Sequence, residues 1–358
     1  MRITALAGGV GGARFLRGLL HHRAGGSPGD LAGRAAADGR SAAAGPGADG
    51  TDGPAAEVTV IGNTADDITL HGLRVCPDLD TLMYTLGGGV HTGQGWGRAD
   101  ETFAAAAEFA AYGEGPGWFT LGDRDLATHV VRTRMLGQGL TLSQVTAALC
   151  ERWRPGIRLL PMTDDRVETH VEIEDPDAPG GLRAIHFQEW WVRLRAAVPA
   201  RRILALGVES ARPAPGVLEA IRAADVVLLP PSNPVVSIGT ILGVPGVRDA
   251  LRGTRAPVIG VSPIIGGAPV RGMADACLAA IGVETTAAAV AGLYADFLDG
   301  WLVDTGDAAP AAAPAGAAAG RRPLVRARPL LMTDVEASAA IAADTLRLAD
   351  ELAPAPAR

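Results

Sequence analysis

Short apolar runs rich in β-branched residues alternate with longer amphipathic or alanine-rich runs along most of the chain. This alternation is typical of a parallel β-sheet whose strands are joined by crossover helices. The predicted strands are 3–6, 58–61, 203–206, 226–229 and 258–261. We therefore predict an α/β fold, a Rossmann-like parallel sheet flanked by helices, with a ligand site at the carboxyl ends of the strands.

Helical spacing recurs in the rest of the chain, at 101–112, 143–152, 274–281, 286–298 and 334–352. Two alternating segments in the middle, 167–173 and 182–187, predict a pair of strands. We interpret residues 100–195 as an inserted, mainly helical lobe that covers the ligand edge of the sheet. Residues 1–358 are then expected to form a single α/β domain.

Two segments contain almost no large apolar residues, because they consist mainly of Gly, Ala, Asp and Pro. We predict that residues 23–56 are a flexible insertion and that residues 308–320 are an Ala-, Pro- and Gly-rich linker or loop. Removing both leaves the alternation of strands and helices described above.

The composition excludes every reaction that needs a lysine, because all 32 basic residues other than histidine are arginines. A Walker A phosphate contact, a Schiff base and a lysine general base are therefore excluded. The formal charge of −7 gives no support for binding nucleic acid. Three widely spaced cysteines suggest neither a disulfide framework nor a zinc site. With no targeting segment and no apolar run long enough for a membrane, we expect a cytoplasmic protein.

Glycines follow directly after the first predicted strand, in the run AGGVGGAR at 7–14, and a helix-like run follows them. Glycine lets the backbone turn tightly, and the N-terminus of the next helix presents free N–H groups to a phosphate. We predict a phosphate site formed by Gly8, Gly9, Gly11, Gly12 and Arg14; the alternative is a tight turn without a ligand. No acidic residue ends the second strand, which disfavours an NAD enzyme.

Four carboxylates lie within fifteen residues after the second strand. At the ligand edge of a sheet, this is the chemistry that Mg²⁺ needs, since the ion takes one or two carboxylates plus water and phosphate oxygens. We predict Asp66 and Asp67 as metal ligands, and one of Asp67, Asp78 and Asp80 as the group that positions or deprotonates a substrate hydroxyl. The alternative is that these side chains cap a helix or shape a turn. His71 is a secondary catalytic candidate, more typical of a structural histidine.

Two later motifs also follow turns. Asp123 and Asp125 precede a helix. One interpretation is that they lie near the metal; the alternative is that they form an N-cap and a solvated ion pair. The loop PPSNPVVSIG follows the strand at 226–229 and ends at Gly239. It exposes Ser232 and Asn233, which suit a contact with a base or a ribose. The alternative is a connection whose shape is set by its prolines. A further loop, 262–273, is placed to close the pocket.

The segment FQEWWVR at 187–193 concentrates two of the six tryptophans. A planar ring system could stack there, and Trp190 is the candidate; the alternative is that these aromatics pack the lobe onto the sheet.

Taken in order, AGGVGGARFLRGL, NTADD, CPDLDTLMYTLGGG, WFTLGDRDLATH, IHFQEWWVR, PPSNPVVSIG and APVIGVSPIIGGAPVRGMAD closely resemble the 2-phospho-L-lactate or phosphoenolpyruvate transferases of coenzyme F420 biosynthesis. The resemblance covers nearly the whole chain outside 23–56 and 308–320. It implies a homodimeric, Mg²⁺-dependent enzyme that transfers a phospho-three-carbon acid from a guanosine diphospho donor to the ribityl hydroxyl of the deazaflavin Fo, releasing GMP.

The resemblance also implies roles for single residues. It places the diphosphate on the turn at 8–12, guanosine on Ser232 and Asn233, and Fo beside Asp80 and Thr120. The Arg-only, Ala- and Gly-rich composition resembles that of high-GC actinobacteria, whose relatives use guanosine-diphospho-enolpyruvate rather than the diphospho-lactate donor, so we expect dehydro coenzyme F420-0 as the product. The competing hypothesis is a nucleotide-sugar-binding regulatory protein of a related non-transferase group.

Overall fold

The computed structural model describes residues 1–25, 57–308 and 322–353. Nearly all of the predicted insertion 23–56 and of the predicted linker 308–320 lies outside these ranges, so both predictions stay untested. No helix in the described part of the chain is both long and apolar enough to cross a membrane.

Seven parallel strands form the main sheet, and they confirm the predicted α/β fold. In chain order they are β1 (Ile3–Ala7), β2 (Val58–Gly62), β5 (Arg158–Pro161), β9 (Val226–Leu229), β10 (Val258–Val261), β13 (Gly300–Val303) and β14 (Leu324–Ala327). Across the sheet their order is β14-β13-β10-β9-β1-β2-β5. The five interior strands are buried along their whole length. Helices cover both faces of such a sheet, which explains why its strands are continuous apolar runs.

Three smaller antiparallel units complete the strands. They are a hairpin of β3 (Ile68–Leu70) and β4 (Leu73–Val75), a three-stranded sheet of β6 (Glu168–Glu174), β7 (Leu182–His186) and β8 (Ala200–Leu206), and a short pair of β11 (Ile264–Ile265) and β12 (Ala268–Pro269). The predicted strand pair in the middle of the chain is confirmed as β6 and β7.

The placement of residues 203–206 in the parallel sheet is wrong. They belong to β8, which pairs antiparallel with β6 in the smaller sheet. Residues 203–206 are an unbroken apolar run, ILAL, which suits a strand in either sheet, so the local pattern could not choose the partner strand.

Eleven helices of the described residues pack around these sheets. They are α1 (Gly9–Arg23), α2 (Pro77–Leu86), α3 (Ala104–Ala111), α4 (Asp123–Gly137), α5 (Leu142–Trp153), α6 (Val217–Ala223), α7 (Ile238–Gly243), α8 (Val247–Gly253), α9 (Ala274–Ala280), α10 (Ala287–Gly292) and α11 (Val335–Leu352). The range 100–195, interpreted as an inserted lobe, contains α3 to α5 and the small-sheet strands β6 and β7, but also β5 at the edge of the main sheet.

Two apolar cores lie on opposite faces of the main sheet. On one face α1, α2 and α11 pack against the strands, and on the other α6, α7, α8 and α10 do so. The contact between α1 and α11 is close at Gly18, where an added Cβ would lie 2.3 Å from the backbone carbon of Ser338. The helix that follows the glycine turn is therefore held from behind by α11.

We expect Gly18→Ala to destabilise the protein by about 1–3 kcal/mol, because the added methyl group separates two packed helices. Gly137→Ala is the matched control, since Gly137 also lies in a helix and an added Cβ there meets nothing within 4 Å. The control should be neutral or stabilising by up to about 1 kcal/mol, because alanine favours the helix. Denaturant unfolding of both variants tests this; equal effects would show that the contact with α11 is unimportant.

Candidate active site

The candidate site lies at the carboxyl end of β1, the strand at which the chain reverses direction across the sheet. After β1 the chain passes through α1 to β2 on one side, and β9 lies on the other side. The turn after β1 and the loop after β9 therefore meet at a topological switch point. Open α/β sheets bind their ligands at such a point.

The glycine turn packs directly on the loop after β9. The N–H of Gly8 donates to Ser232 Oγ at 3.1 Å, and that hydroxyl donates to Gly8 O at 2.9 Å. An added Cβ on Gly11 would lie 2.2 Å from Pro231 O, and one on Gly12 would lie 2.6 Å from Ser232 Oγ. Glycine at these positions is thus needed for close packing, and Ser232 joins the two segments instead of projecting toward a base.

Two backbone N–H groups of the turn remain for a ligand. Gly8 donates to Ser232, and Gly9, at a φ of +62°, donates to the carboxylate of Asp78. Val10 and Gly11 also belong to the first turn of α1, where N–H groups have no carbonyl partner four residues earlier. Together with the helix dipole, they form a small anion-binding surface.

Asn63 is the centre of the polar network beneath the turn, a role that the sequence does not reveal. Its Nδ2 donates to Asp78 Oδ2 at 2.9 Å, while its Oδ1 accepts from Thr240 Oγ1 at 2.7 Å and from the N–H of Ala65 at 3.0 Å. Asn63 is fully buried. It therefore fixes the end of β2, the start of α2 and the start of α7 relative to one another.

Asp66 and Asp78 form a buried pair of carboxylates next to the glycine turn. They are 5% and 9% exposed, and Asp66 Oδ1 has no hydrogen-bond partner among the described residues. Burial, and next the charge of Asp78, raises the pKa of Asp66 well above its usual range. Burial raises the pKa of Asp78 to about 6, although Asn63, Gly9 and Ser237 donate to it. A cation or a shared proton would relieve this repulsion.

Asp67, next to Asp66 in sequence, has an arginine as its partner. Its Oδ2 lies 3.1 Å from a guanidinium nitrogen of Arg74, and Arg74 also approaches Glu168 at 3.9 Å. Burial raises the pKa of Asp67 to about 7, while Arg74 lowers it. The predicted role of Asp67 as a metal ligand stays a prediction, but its partner in the structure is an arginine.

Asp80 belongs to a separate buried network. Arg132, 1% exposed, forms a short ion pair with Asp80, and His129 lies between Asp80 at 3.8 Å and Asp125 at 3.4 Å. Asp125 also accepts from the hydroxyl of Tyr84 at 2.7 Å. Arg132 thus binds Oδ1 of Asp80, whereas Oδ2 has no hydrogen-bond partner among the described residues, and the predicted contact of Asp80 with Fo stays a prediction.

His71 and Thr120 belong to other segments than this pair, His71 to the β3–β4 hairpin and Thr120 to the loop before α4. His71, at a φ of +49°, forms the tight turn of the β3–β4 hairpin and stacks on Phe109 with ring centroids 4.3 Å apart. These contacts suit the structural alternative for His71. Thr120 is exposed and follows Trp118 and Phe119, which pack against the small core that includes Ile68 and Leu121.

Trp190 does not line a ligand surface, which corrects its prediction as a stacking residue. Its side chain is 0% exposed and its Nε1 donates to Val198 O at 2.8 Å. It packs with Phe187 and Val236 in a core between the small sheet and α9. A ring with no exposed face cannot stack on a planar ligand, so the structural alternative holds for this residue.

The other predicted residues of the loop after β9 have structural contacts. Asn233 Oδ1 accepts from the N–H groups of Val235 and Val236, at 2.9 and 3.2 Å, and so shapes the loop. An added Cβ on Gly239 would lie 2.8 Å from Pro234 O. Asp123 is the first residue of α4, whose N-cap is Gly122, so it does not cap its own helix; its carboxylate accepts instead from the N–H groups of Ala104 and Ala105 at the start of α3.

Several site residues were not singled out from the sequence: Asn63, Arg74, Arg132, Ser237 and Thr240. Asn63 lies at the end of β2, beside the glycine turn, and this position is the one signal that could have identified it. The arginines give no such signal, because Arg132 lies 52 residues from its partner Asp80.

Comparison with known proteins identifies the family to which a chain with this site belongs. The family model described as 2-phospho-L-lactate transferase CofD matches residues 3–332. A protein of Kitasatospora aureofaciens called phosphoenolpyruvate transferase is 61% identical over 98% of this chain and 99% of its own. One of the same name from Mycolicibacterium smegmatis is 53% identical over the same shares.

Solved structures agree on the fold. The crystal structure of a member of the UPF0052 family from Bacillus halodurans superposes with a TM-score of 0.56 at 14% identity, covering 96% of this chain and 98% of that one. Fold, site and relatives together define an α/β transferase. The chain belongs to the CofD family.

We expect Arg132→Leu to destabilise the protein by about 3–5 kcal/mol, because it leaves the carboxylate of Asp80 buried without its partner. Combining it with Asp80→Leu should recover most of this loss, since no unpaired charge then remains. Denaturant unfolding of the single and double variants provides the measurement. A double variant as unstable as Arg132→Leu would mean that packing, not charge, explains the loss.

Proposed function

We propose that this transferase moves the phosphoenolpyruvyl group, or the phospholactyl group, from a guanosine diphospho donor to the ribityl hydroxyl of Fo. GMP leaves, and the enolpyruvyl donor gives dehydro coenzyme F420-0. The names of the relatives support the enolpyruvyl donor, since those at 61% and 53% identity are both called phosphoenolpyruvate transferase. The observation that carries the proposal is the buried pair Asp66 and Asp78 beside the phosphate-binding turn.

The residues of this pair fit Mg²⁺. Among the described residues no group of three or more His, Cys, Asp or Glu side chains is arranged to hold a metal ion. Mg²⁺ needs only one or two carboxylates, because water and phosphate oxygens fill its other positions. Asp66 Oδ1, buried without a hydrogen-bond partner, and Asp78 would hold it. The ion would neutralise charge on the non-bridging oxygens of the donor.

The chain itself supplies the remaining functions. The N–H groups of Val10 and Gly11, with Arg14 one turn further along α1, would hold the diphosphate in line for attack. Asp80 is paired with Arg132 and Asp78 would hold the metal, so Asp67 is our candidate for accepting the proton of the ribityl hydroxyl. Arg74 would keep this carboxylate in place before the proton moves.

The acceptor needs an apolar surface for a planar ring. Trp190 is buried, but the half-buried Trp118 and Phe119, whose ring centroids are 5.9 Å apart, immediately precede the exposed Thr120. We place the deazaflavin ring on this segment. A homodimer and a cytoplasmic location remain part of the proposal; the three cysteines are free thiols, as a reducing compartment requires.

Asp66→Asn and Asp78→Asn should each lower kcat/KM by at least about 100-fold, because either change removes an anionic oxygen from the metal site. Asp66→Asn should not lower the melting temperature, since it removes a repelling charge from the interior, whereas Asp78→Asn also disturbs the hydrogen bonds that Asn63, Gly9 and Ser237 donate. Asp177→Asn, at an exposed turn, is the matched control and should leave both quantities unchanged. Full activity in both site variants would contradict the proposed metal site.

Mass spectrometry of the products tests the reaction itself. The protein, Mg²⁺ and Fo are mixed with guanosine-diphospho-enolpyruvate or with its lactyl analogue. We expect GMP and the dehydro product from the enolpyruvyl donor. Turnover of the lactyl donor alone would reverse the choice of substrate, and no transfer from either donor would favour the regulatory hypothesis.

A further inference from the structure

Three arginines near the glycine turn have no acidic partner. Arg14 and Arg17 lie on α1, and Arg271 lies between β12 and α9. Within the described ranges, none of the three takes part in an ion pair, whereas the buried Arg132 and the half-buried Arg74 and Arg248 do. Arg17 Nε is buried and has no hydrogen-bond partner there. Two half-buried guanidinium groups and one exposed one, none with an acidic partner, create a positive potential at the start of α1 that would attract an anion.

Arg271 reaches the first turn of α1 from outside the helix. An added Cβ on Gly95 would lie 2.8 Å from both Arg271 Nη1 and Val10 Cγ1, so these two side chains meet at Gly95. Arg271 also donates to Gln94 O at 2.5 Å and to Gly93 O at 3.3 Å. These contacts use two of its five N–H groups, and the others are free for a ligand at the turn.

The three positive charges act on one another. Burial, then the charge of Arg271 and then that of Arg17, lowers the pKa of Arg14. The N-terminal end of α1 adds a partial positive charge at the same place. Positive potential thus lies at the start of α1, where the N–H of Gly9 also donates to the carboxylate of Asp78.

The charges of the proposed substrate match this arrangement. The two positive charges of Mg²⁺ would be balanced by the carboxylates of Asp66 and Asp78. The three guanidinium groups would then be left to balance the charge of the donor. The donor carries three negative charges, two on its diphosphate diester and one on the carboxylate of the acid. We propose that Arg14, Arg17 and Arg271 form the subsite for the phospho-acid end of the donor, and that Arg271 binds its carboxylate. This inference rests on the proposed function for the identity of the ligand.

The assignment of the carboxylate to Arg271 follows from position. Arg14 and Arg17 share α1 with the N–H groups that face the diphosphate, whereas Arg271 comes from a different element. A guanidinium fork with free N–H groups binds a carboxylate through two parallel hydrogen bonds. Arg271 would therefore distinguish the donor from GDP, which lacks that carboxylate.

Arg271 also connects the subsite to the segment 91–97. A β-bridge between Val90 and Arg98 closes this segment, and the Arg98 guanidinium lies 4.6 Å from the ring centroid of Trp153. Its tip contacts Arg271 through backbone carbonyls. Trp96, 52% exposed, lies in the segment. Binding of the donor at Arg271 should therefore change the fluorescence of Trp96.

Calorimetric titration without Fo tests the subsite in the full-length protein with Mg²⁺. The ligands are guanosine-diphospho-enolpyruvate, GDP and GMP. For Arg271→Gln we expect the Kd of the donor to rise about tenfold or more, with less than a twofold change for GDP and GMP. Arg271→Lys should show a partial loss, because it keeps the charge but not the fork. Arg201→Gln, on the outer face of the small sheet, is the matched control and should change nothing.

Equal weakening of all three ligands, or no weakening of the donor, would overturn the assignment of the carboxylate to Arg271. Trp191, whose ring lies 3.0 Å from the position of an added Cβ on Gly272, could also respond, so the fluorescence is compared in Trp96→Phe and Trp191→Phe; a change lost only in Trp191→Phe would contradict the link to the segment 91–97. Because the assay needs no acceptor, it separates the two proposals: selective loss of donor binding in Arg271→Gln would support the subsite even if wild-type protein transferred nothing to Fo.

Discussion

The close contact between the glycine turn and the loop after β9 is the constraint on which the site depends. Carbonyl, hydroxyl and carboxylate oxygens come so near to Gly8, Gly11 and Gly12 that none of these positions has room for a Cβ. The same approach brings Asp78 to the start of α1 and lets Ser232 bond to both backbone groups of Gly8. The glycines of the turn are thus needed for close packing between the two segments. Because this packing fixes the remaining N–H groups in place, they are suited to bind a ligand.

The four aspartates after β2 differ in what neutralises them. Arg74 pairs with Asp67 and Arg132 with Asp80, so these two charges are compensated within the protein. Asp66 and Asp78 have only each other and neutral donors. An uncompensated buried pair costs stability, and such a cost is typical of a site built for a charged ligand. The division between paired and unpaired carboxylates is therefore the clearest chemical feature of the interior.

The sequence revealed the strands but not all of their partners. The strands β1, β2, β9 and β10 were predictable because each is a buried apolar run followed by a turn. The edge strand β5 is four residues that end in proline, and β13 begins with glycine, so neither has a strong local signal. Residues 203–206 were recognised as a strand but placed in the wrong sheet.

The site could be predicted from the sequence only as a set of candidate residues, because their partners depend on contacts between distant segments. The cluster of aspartates was visible, yet the pairing of Asp66 with Asp78 depends on the β3–β4 hairpin, which returns the chain to the turn. Trp190 was misread because an aromatic-rich segment fits both a core and a ligand surface. Arg271 contacts the segment 91–97 across more than 170 residues of sequence, and no local pattern reports such a contact.

The packing of α1 against α11 has a consequence for biosynthesis. The helix that carries the first turn of the site leaves the ribosome early, while the helix that supports it follows about 300 residues later. At roughly 5–20 residues per second, this delay is on the order of 15–60 s. During that time the apolar face of α1 lacks its partner, so a nascent chain exposes a surface that chaperones recognise and has no finished site to engage nucleotide. Residues 335–352 must therefore be synthesised before this enzyme can meet its substrate.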